Sequence, residues 1–324
     1  MREVVFIRQN KSKWLETEKV ISGNIHKNPD ELSSLYINLI NDLSYSQTYY
    51  PKSKTTEYLN HLSSQIYQKI YKTKRIEQNR FLHFFKTEVP LLAYQYRKYL
   101  YFSFILFAIF TFFGAISTHY DEDFVRLILG DNYVDMTLEN IKEGNPIAVY
   151  GTGSNWATSV LIIRNNLFVG ANMFFYGVFA GFGTLYILMK NSIMLGSFQY
   201  FFQTQGVLGE SMRGIWIHGA FEISGMIIEA MAGFILGASI LFPKTYSRLN
   251  SFKIGFKDCF KIFISTIPFT TIAGIFEGFV TRHALDMPLI LTLFISLGSF
   301  GFIFFYYVIY PIFVYKKQLK YADL

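Results

Sequence analysis

Between Tyr99 and Thr118 the chain reads YLYFSFILFAIFTFFGAIST, an uncharged run of 20 residues. At about 1.5 Å of rise per residue, a helix of this length crosses the ~30 Å hydrocarbon layer of a bilayer. Further apolar stretches run from about Leu167 to Met189, Ser192 to Phe202, Ile215 to Phe242, Phe260 to Val280 and Met287 to Val314. With 51% of its residues hydrophobic and 16% charged, the chain carries more apolar surface than one globular core can hide. The expected fold class is therefore all-α. It is a polytopic transmembrane helical bundle of about six crossings, one short or re-entrant, behind an N-terminal soluble helical domain.

Charge sets the domain boundaries and the expected orientation. Residues 1–98 hold 16 Lys/Arg against 9 Asp/Glu, which accounts for the whole net charge of +7, whereas residues 119–160 hold 7 acids against 2 bases. The expected organisation is a cytoplasmic basic helical domain at 1–98, a transmembrane domain at 99–314 with an outer amphipathic segment at 119–166, and a basic cytoplasmic tail at 315–324. Lys/Arg excess marks cytoplasmic flanks, and the basic clusters are the N-domain, the group Lys244, Arg248, Lys253 and Lys257, and the tail with Lys316, Lys317 and Lys320. Five crossings would leave one cluster outside. Six, with 192–206 as a short crossing or deep re-entrant helix, put all of them inside.

Membrane lipid is the expected neighbour of this basic surface, and no zinc-finger spacing or RNP-type motif points to nucleic acid. The apolar run near the N-terminus is too short for a signal-peptide core, so the expectation is a retained, cytoplasmic N-terminus. Cys259 is the sole cysteine, which excludes an intramolecular disulfide.

Within the first domain, Asn28-Pro29-Asp30-Glu31 combines a cap, a first-turn proline and acids at a helix start. Ile37, Leu39, Ile40 and Leu43 then form an expected buried stripe, Tyr50-Pro51 breaks it, and Tyr58, Leu59, Leu62, Ile66 and Ile70 resume at helical spacing. In the outer segment, Phe124–Leu129 and the run from Trp156 to Ile162 are expected as amphipathic helices on the membrane surface, or as a docking platform for an envelope partner.

Polar groups inside spans need a reason, since an acid at a helix centre costs roughly 2.5–3.5 kcal/mol on insertion scales. His218, Glu222 and Glu229 share one span. At 100° per residue Glu222 lies about 40° and Glu229 about 20° from His218 around the axis, so all three face one way. With six crossings, Arg164-Asn165-Asn166, His218-Glu222 and Glu277 meet near the outer face. The candidate site is a polar cluster of Asn165, Asn166, His218, Glu222 and Glu277, with Arg164, Asn191 and Glu229 as secondary candidates.

A structural role competes with it, because His218 and Glu222 are spaced for an i,i+4 hydrogen bond and Asn side chains join helices. No catalytic residue, cofactor or metal is assigned: His-x-x-x-Glu supplies two ligands but lacks the second His of a zincin pair. Gly177, Gly181, Gly183, Gly219, Gly225, Gly233, Gly237, Gly274 and Gly278 permit close helix approach, and the GxxxG spacing of Gly233 and Gly237 leaves a homo-oligomer open.

The runs Asn165-Asn166, Lys190-Asn191-Ser192-Ile193-Met194-Leu195-Gly196, Ile217-His218-Gly219-Ala220-Phe221-Glu222 and Glu277-Gly278-Phe279-Val280-Thr281 resemble the stage II sporulation protein M family, over roughly residues 99–310. Phe6–Lys11, Asn41–Tyr45 and Tyr50-Pro51 further resemble a non-sporulating branch common in Bacteroidetes. The match is strongest at His-Gly-x-x-x-Glu, whereas Glu229 falls where the family usually has small apolar residues. The resemblance implies a bacterial inner-membrane subunit of an envelope complex of the cell-wall remodelling type. It also implies a MoxR-type ATPase and von Willebrand A-domain proteins as neighbours. Two functions are expected: a non-catalytic inner-membrane scaffold, or a channel or transporter subunit that uses Glu222 and Glu277 with His218. An intramembrane hydrolase is the third and least favoured.

Overall fold

A computed structural model describes residues 2–23, 25, 27–72, 79–151 and 154–322. Its secondary structure is 87% helical, and no strand occurs among the described residues. Two compact units divide the chain at Arg80/Phe81.

The first unit holds α1 (Glu3–Ile21), α2 (Pro29–Tyr49) and α3 (Lys54–Lys72). Helix α2 starts where the cap signal places it. The Asn28 side chain accepts from the Glu31 N–H at 2.8 Å, the Glu31 carboxylate accepts from the Asn28 N–H at 3.2 Å, and Pro29 occupies the first turn. The helix ends just before Pro51, whose ring disfavours helical backbone in the preceding residue.

Phe6, Trp14, Leu39, Leu43, Leu59, Leu62 and Ile66 form the core of this unit. Ile37 does not join the expected stripe and is 57% exposed, because it stands about 200° around the helix from Leu39. The Trp14 indole N–H donates to Asp42 at 2.9 Å, and the Lys69 ammonium donates to the Val20 carbonyl at the end of α1.

The second unit opens with α4 (Arg80–His83), whose first residue closes the preceding unit, followed by a π turn (Phe84–Glu88) and α5 (Val89–Gln95). Residues 81–98, assigned from sequence to the N-terminal domain, lie within this second unit. Pro90 explains the π turn: it has no N–H to offer the Lys86 carbonyl, and the Val89 N–H reaches back five residues to Phe84. The freed Lys86 carbonyl accepts from the Tyr310 hydroxyl at 3.1 Å, and the Phe85 carbonyl accepts from Tyr306 at 2.7 Å. A second π turn, Phe305–Ile309, lies just before Pro311 between α13 (Leu289–Phe304) and α14 (Tyr310–Ala322).

Between these ends run α6 (Arg97–Tyr120), α7 (Phe124–Leu129), α8 (Asp131–Lys142), α9 (Asn155–Phe175), α10 (Phe182–Thr204), α11 (Leu208–Leu241) and α12 (Arg248–Phe279). Helix α11 is central and packs against α6, α9, α10, α12 and α13. By length and composition α6, α11, α12 and the segment Leu289–Leu319 can cross a membrane. The outward faces of α6 and α13 present Phe104, Phe112, Ile290 and Phe294, as lipid-facing surfaces do.

Three sequence boundaries are corrected. The stretch 167–189 is not one span: the chain reverses at Tyr176–Gly181, where Ala180 and Gly181 take positive φ of 55° and 85°. The stretch 192–206 is accordingly no separate short or re-entrant piece, because 192–204 is the second half of the 23-residue α10. Likewise the run from Trp156 to Ile162 belongs to α9, which continues unbroken through Arg164 to Phe175. Helices α9 and α10 are about 32 and 35 Å long, enough to span, but carry Arg164-Asn165-Asn166 and Lys190-Asn191 near their middles. Helices α7 and α8 do bury one face, with Val125 and Val134 against Phe201 of α10, while Leu127 is exposed.

Candidate functional site

Glycines decide how closely the helices around α11 approach. Gly274 and Gly278, one turn apart on α12, face Ile163 and Ser159 of α9, leaving no room for a side chain. This contact brings the first half of α9 close against α12. On α11, Gly233 faces Met173 and Thr184, and Gly237 faces the Ala180–Gly181 backbone, so the GxxxG pair serves an intramolecular contact. Helix α6 meets α10 in the same way, with Gly114 against Ile193 and Gly196 against Thr111.

Helices α9, α10, α11 and α12 line an open-mouthed cavity of about 500 Å³. His218, Glu222 and Glu229 line it from the single face of α11 that the 100° spacing requires. Asn165 and Asn166 enter from α9, Asn191 from α10 and Glu277 from α12. All five residues of the candidate cluster thus reach one cavity, as do the secondary candidates Asn191 and Glu229. Arg164 is exposed and does not line it.

Inside the cavity the polar groups are linked. The Asn166 amide donates to Glu222, and a carboxylate oxygen of Glu222 lies within 4.8 Å of one of Glu277. The His218 ring is almost fully buried; its Nδ1 lies 2.8 Å from the Thr281 hydroxyl and its Nε2 3.9 Å from the Glu277 carboxyl. One ligand atom from each of His218, Glu222 and Glu277 falls within 4.8 Å of the others, so these three residues could hold a metal ion. Glu229 sits apart, two turns along α11, and accepts from the Thr266 hydroxyl at 2.9 Å. Asn191 donates back to the Ile187 carbonyl of its own helix.

Thr281 and Thr266 are the functional neighbours that reasoning from residue type passes over. Thr281 stands just beyond the end of α12, and only the turn there swings its hydroxyl toward His218. Its place four residues after Glu277 is the one signal in the sequence. Chemically, two carboxyl groups this close within apolar surroundings call for a neutralising proton or a bound cation to offset their repulsion. The cavity is therefore suited to proton- or cation-dependent chemistry.

The family described as stage II sporulation protein M matches residues 103–282, more than half of the chain. The chain belongs to that family. The stage II sporulation protein M region covers every cavity residue named above and ends one residue past Thr281. A second family, a domain of unknown function (DUF8413), matches residues 4–72, which covers nearly all of the first compact unit's three helices. No match was found among curated proteins or solved structures. With its apolar helices and its family, this is a membrane protein.

Proposed function

We propose that this stage II sporulation protein M family member is a channel or transporter subunit whose polar cavity binds a cation or a proton, with Glu222 and Glu277 as the coupling carboxylates and His218 as their neighbour. The observation that carries this reading is that two carboxyl groups stand within 4.8 Å of each other in one cavity among apolar helices. Such an arrangement is expensive to keep in a purely structural bundle and is the usual mark of an ion or proton path. The test is flux into liposomes that contain the purified chain, with protons, monovalent and divalent cations each supplied in turn. Wild-type protein should give a flux that Glu222→Gln and Glu277→Gln lower by about tenfold or more. Folded protein that carries none of these ions would end the proposal.

A second reading is favoured by a different observation, the N-terminal helices with a core of their own. A separately packed basic unit suits a non-catalytic scaffold of an envelope assembly. In that reading both termini lie on the cytoplasmic side of a bacterial inner membrane, and the partners are an ATPase of the MoxR type and von Willebrand A-domain proteins. Affinity purification in mild detergent separates the readings. Co-purifying ATPase or envelope proteins support the scaffold, whereas a chain recovered alone or as a homo-oligomer supports the channel.

A further inference from the structure

The geometry points to a divalent transition-metal site in the cavity, of the zinc or manganese class, formed by His218 Nε2 and the carboxylates of Glu222 and Glu277. Two helices supply it: two ligands stand one turn apart on α11, and the third comes from the last turn of α12. Bonds of about 2.0–2.2 Å to one ion place ligand atoms roughly 3–4.4 Å apart. The 3.9 Å between His218 Nε2 and Glu277 Oε2 already meets that spacing, and small side-chain rotations bring the whole set, now within 4.8 Å, inside it. One imidazole with two carboxylates suits borderline divalent ions better than calcium, which takes oxygen donors alone, or copper(I), which takes sulfur.

Two further observations support the assignment. Metal-binding imidazoles donate their other ring N–H to an oxygen acceptor, which fixes the tautomer and aims the lone pair at the ion. Thr281 Oγ1 stands at 2.8 Å from His218 Nδ1 in that role, which leaves Nε2 on the side of Glu277. The Asn166 amide donates to Glu222, as an outer partner of a ligating carboxylate does. The ion would also offset the repulsion between the facing carboxylates, and the cavity leaves room for water or solute at its remaining positions. The inference rests on the cavity as a cation site and not on anything crossing the membrane.

The experiment uses the full chain in detergent, stripped with a chelator and then titrated with Zn²⁺, Mn²⁺ and Co²⁺. Bound metal is counted by mass spectrometry, and the Co²⁺ spectrum reports the ligand field. One ion per chain is expected. His218→Ala and Glu277→Gln should abolish binding, Thr281→Val should weaken it about 10- to 100-fold, and Glu210→Gln, at an exposed acid on the same helix, should leave it unchanged. Helical circular dichroism and elution volume identify variants that fold. Glu277→Gln is nearly isosteric and decides the matter if His218→Ala does not fold. Wild-type protein that takes up no ion overturns the site, and so does stoichiometric binding that survives both Glu277→Gln and Thr281→Val. Flux in liposomes without bound metal would sink the site and spare the transport reading; bound metal without flux would do the reverse.

Discussion

Glu229 is the cavity residue whose surroundings are simplest to test. It is 5% exposed, and the Thr266 hydroxyl donates to its carboxyl at 2.9 Å. Removing that donor leaves a buried carboxyl one partner short, and hydrogen bonds between membrane helices are worth about 0.6–2 kcal/mol. Thr266→Val should therefore lower the thermal midpoint of the purified protein, while Thr266→Ser, which keeps the hydroxyl, should stay close to wild type. Equal midpoints for Val and Ser would mean that the bond contributes nothing. At this scale the sequence is informative about residue type: His218, Glu222, Glu229 and Glu277 stand out because each is costly in an apolar helix. Their hydroxyl partners are not legible, since Thr and Ser are cheap in membrane helices and common among them.

Helix packing around the cavity depends on positions where a side chain will not fit. Gly278 of α12 lies against Ser159 and the Asn155 carbonyl of α9, so Gly278→Leu must push α9 outward and move Asn166 away from Glu222. Overpacking of this kind costs about 1–3 kcal/mol. The expected outcome is a clear fall in thermal midpoint. Gly298→Ala on α13 meets nothing within 4 Å and should be neutral or gain up to about 1 kcal/mol from helix propensity. If both variants melt alike, close approach at Gly278 is not what holds α9 in place. Span boundaries were the least legible feature at this scale. Hydropathy averages over 167–189 see one apolar run, whereas the reversal at Tyr176–Gly181 depends on backbone conformation at Ala180 and Gly181. The polar middles of α9 and α10 had the opposite effect and made complete helices look like surface or re-entrant segments.

On the scale of the whole molecule, the division at Arg80/Phe81 makes acid sensitivity a property of one unit. Ser53 and Thr55 hydroxyls donate to Glu3, and these bonds hold its carboxyl below the usual carboxylate range. A depressed folded value means that the ionised form contributes stability above the unfolded value near 4 and loses it as pH falls through the folded value. Hydrogen exchange of peptides from residues 3–72 should accelerate as the pH drops below about 4, after correction for intrinsic exchange. Glu3→Gln should blunt that acceleration. An identical pH profile in the variant would remove Glu3 as a cause.

By itself the sequence determined the class of solvent, the helical content, the start of α2 at its capping box and the single polar face of α11. Each follows from local chemistry: apolar length, a cap motif, a 100° period. Family membership was likewise legible in short runs such as His218-Gly219 with Glu222. The grouping of Glu277 with His218 and Glu222 also followed from the crossing count, but only tertiary structure decided the 3.9 Å approach of Glu277 to the His218 ring, that Thr281 supports the imidazole, and that Gly233 and Gly237 serve an internal contact. Those facts depend on which helices pack together and how closely. That is set by glycine contacts distributed across four helices, which no single segment encodes.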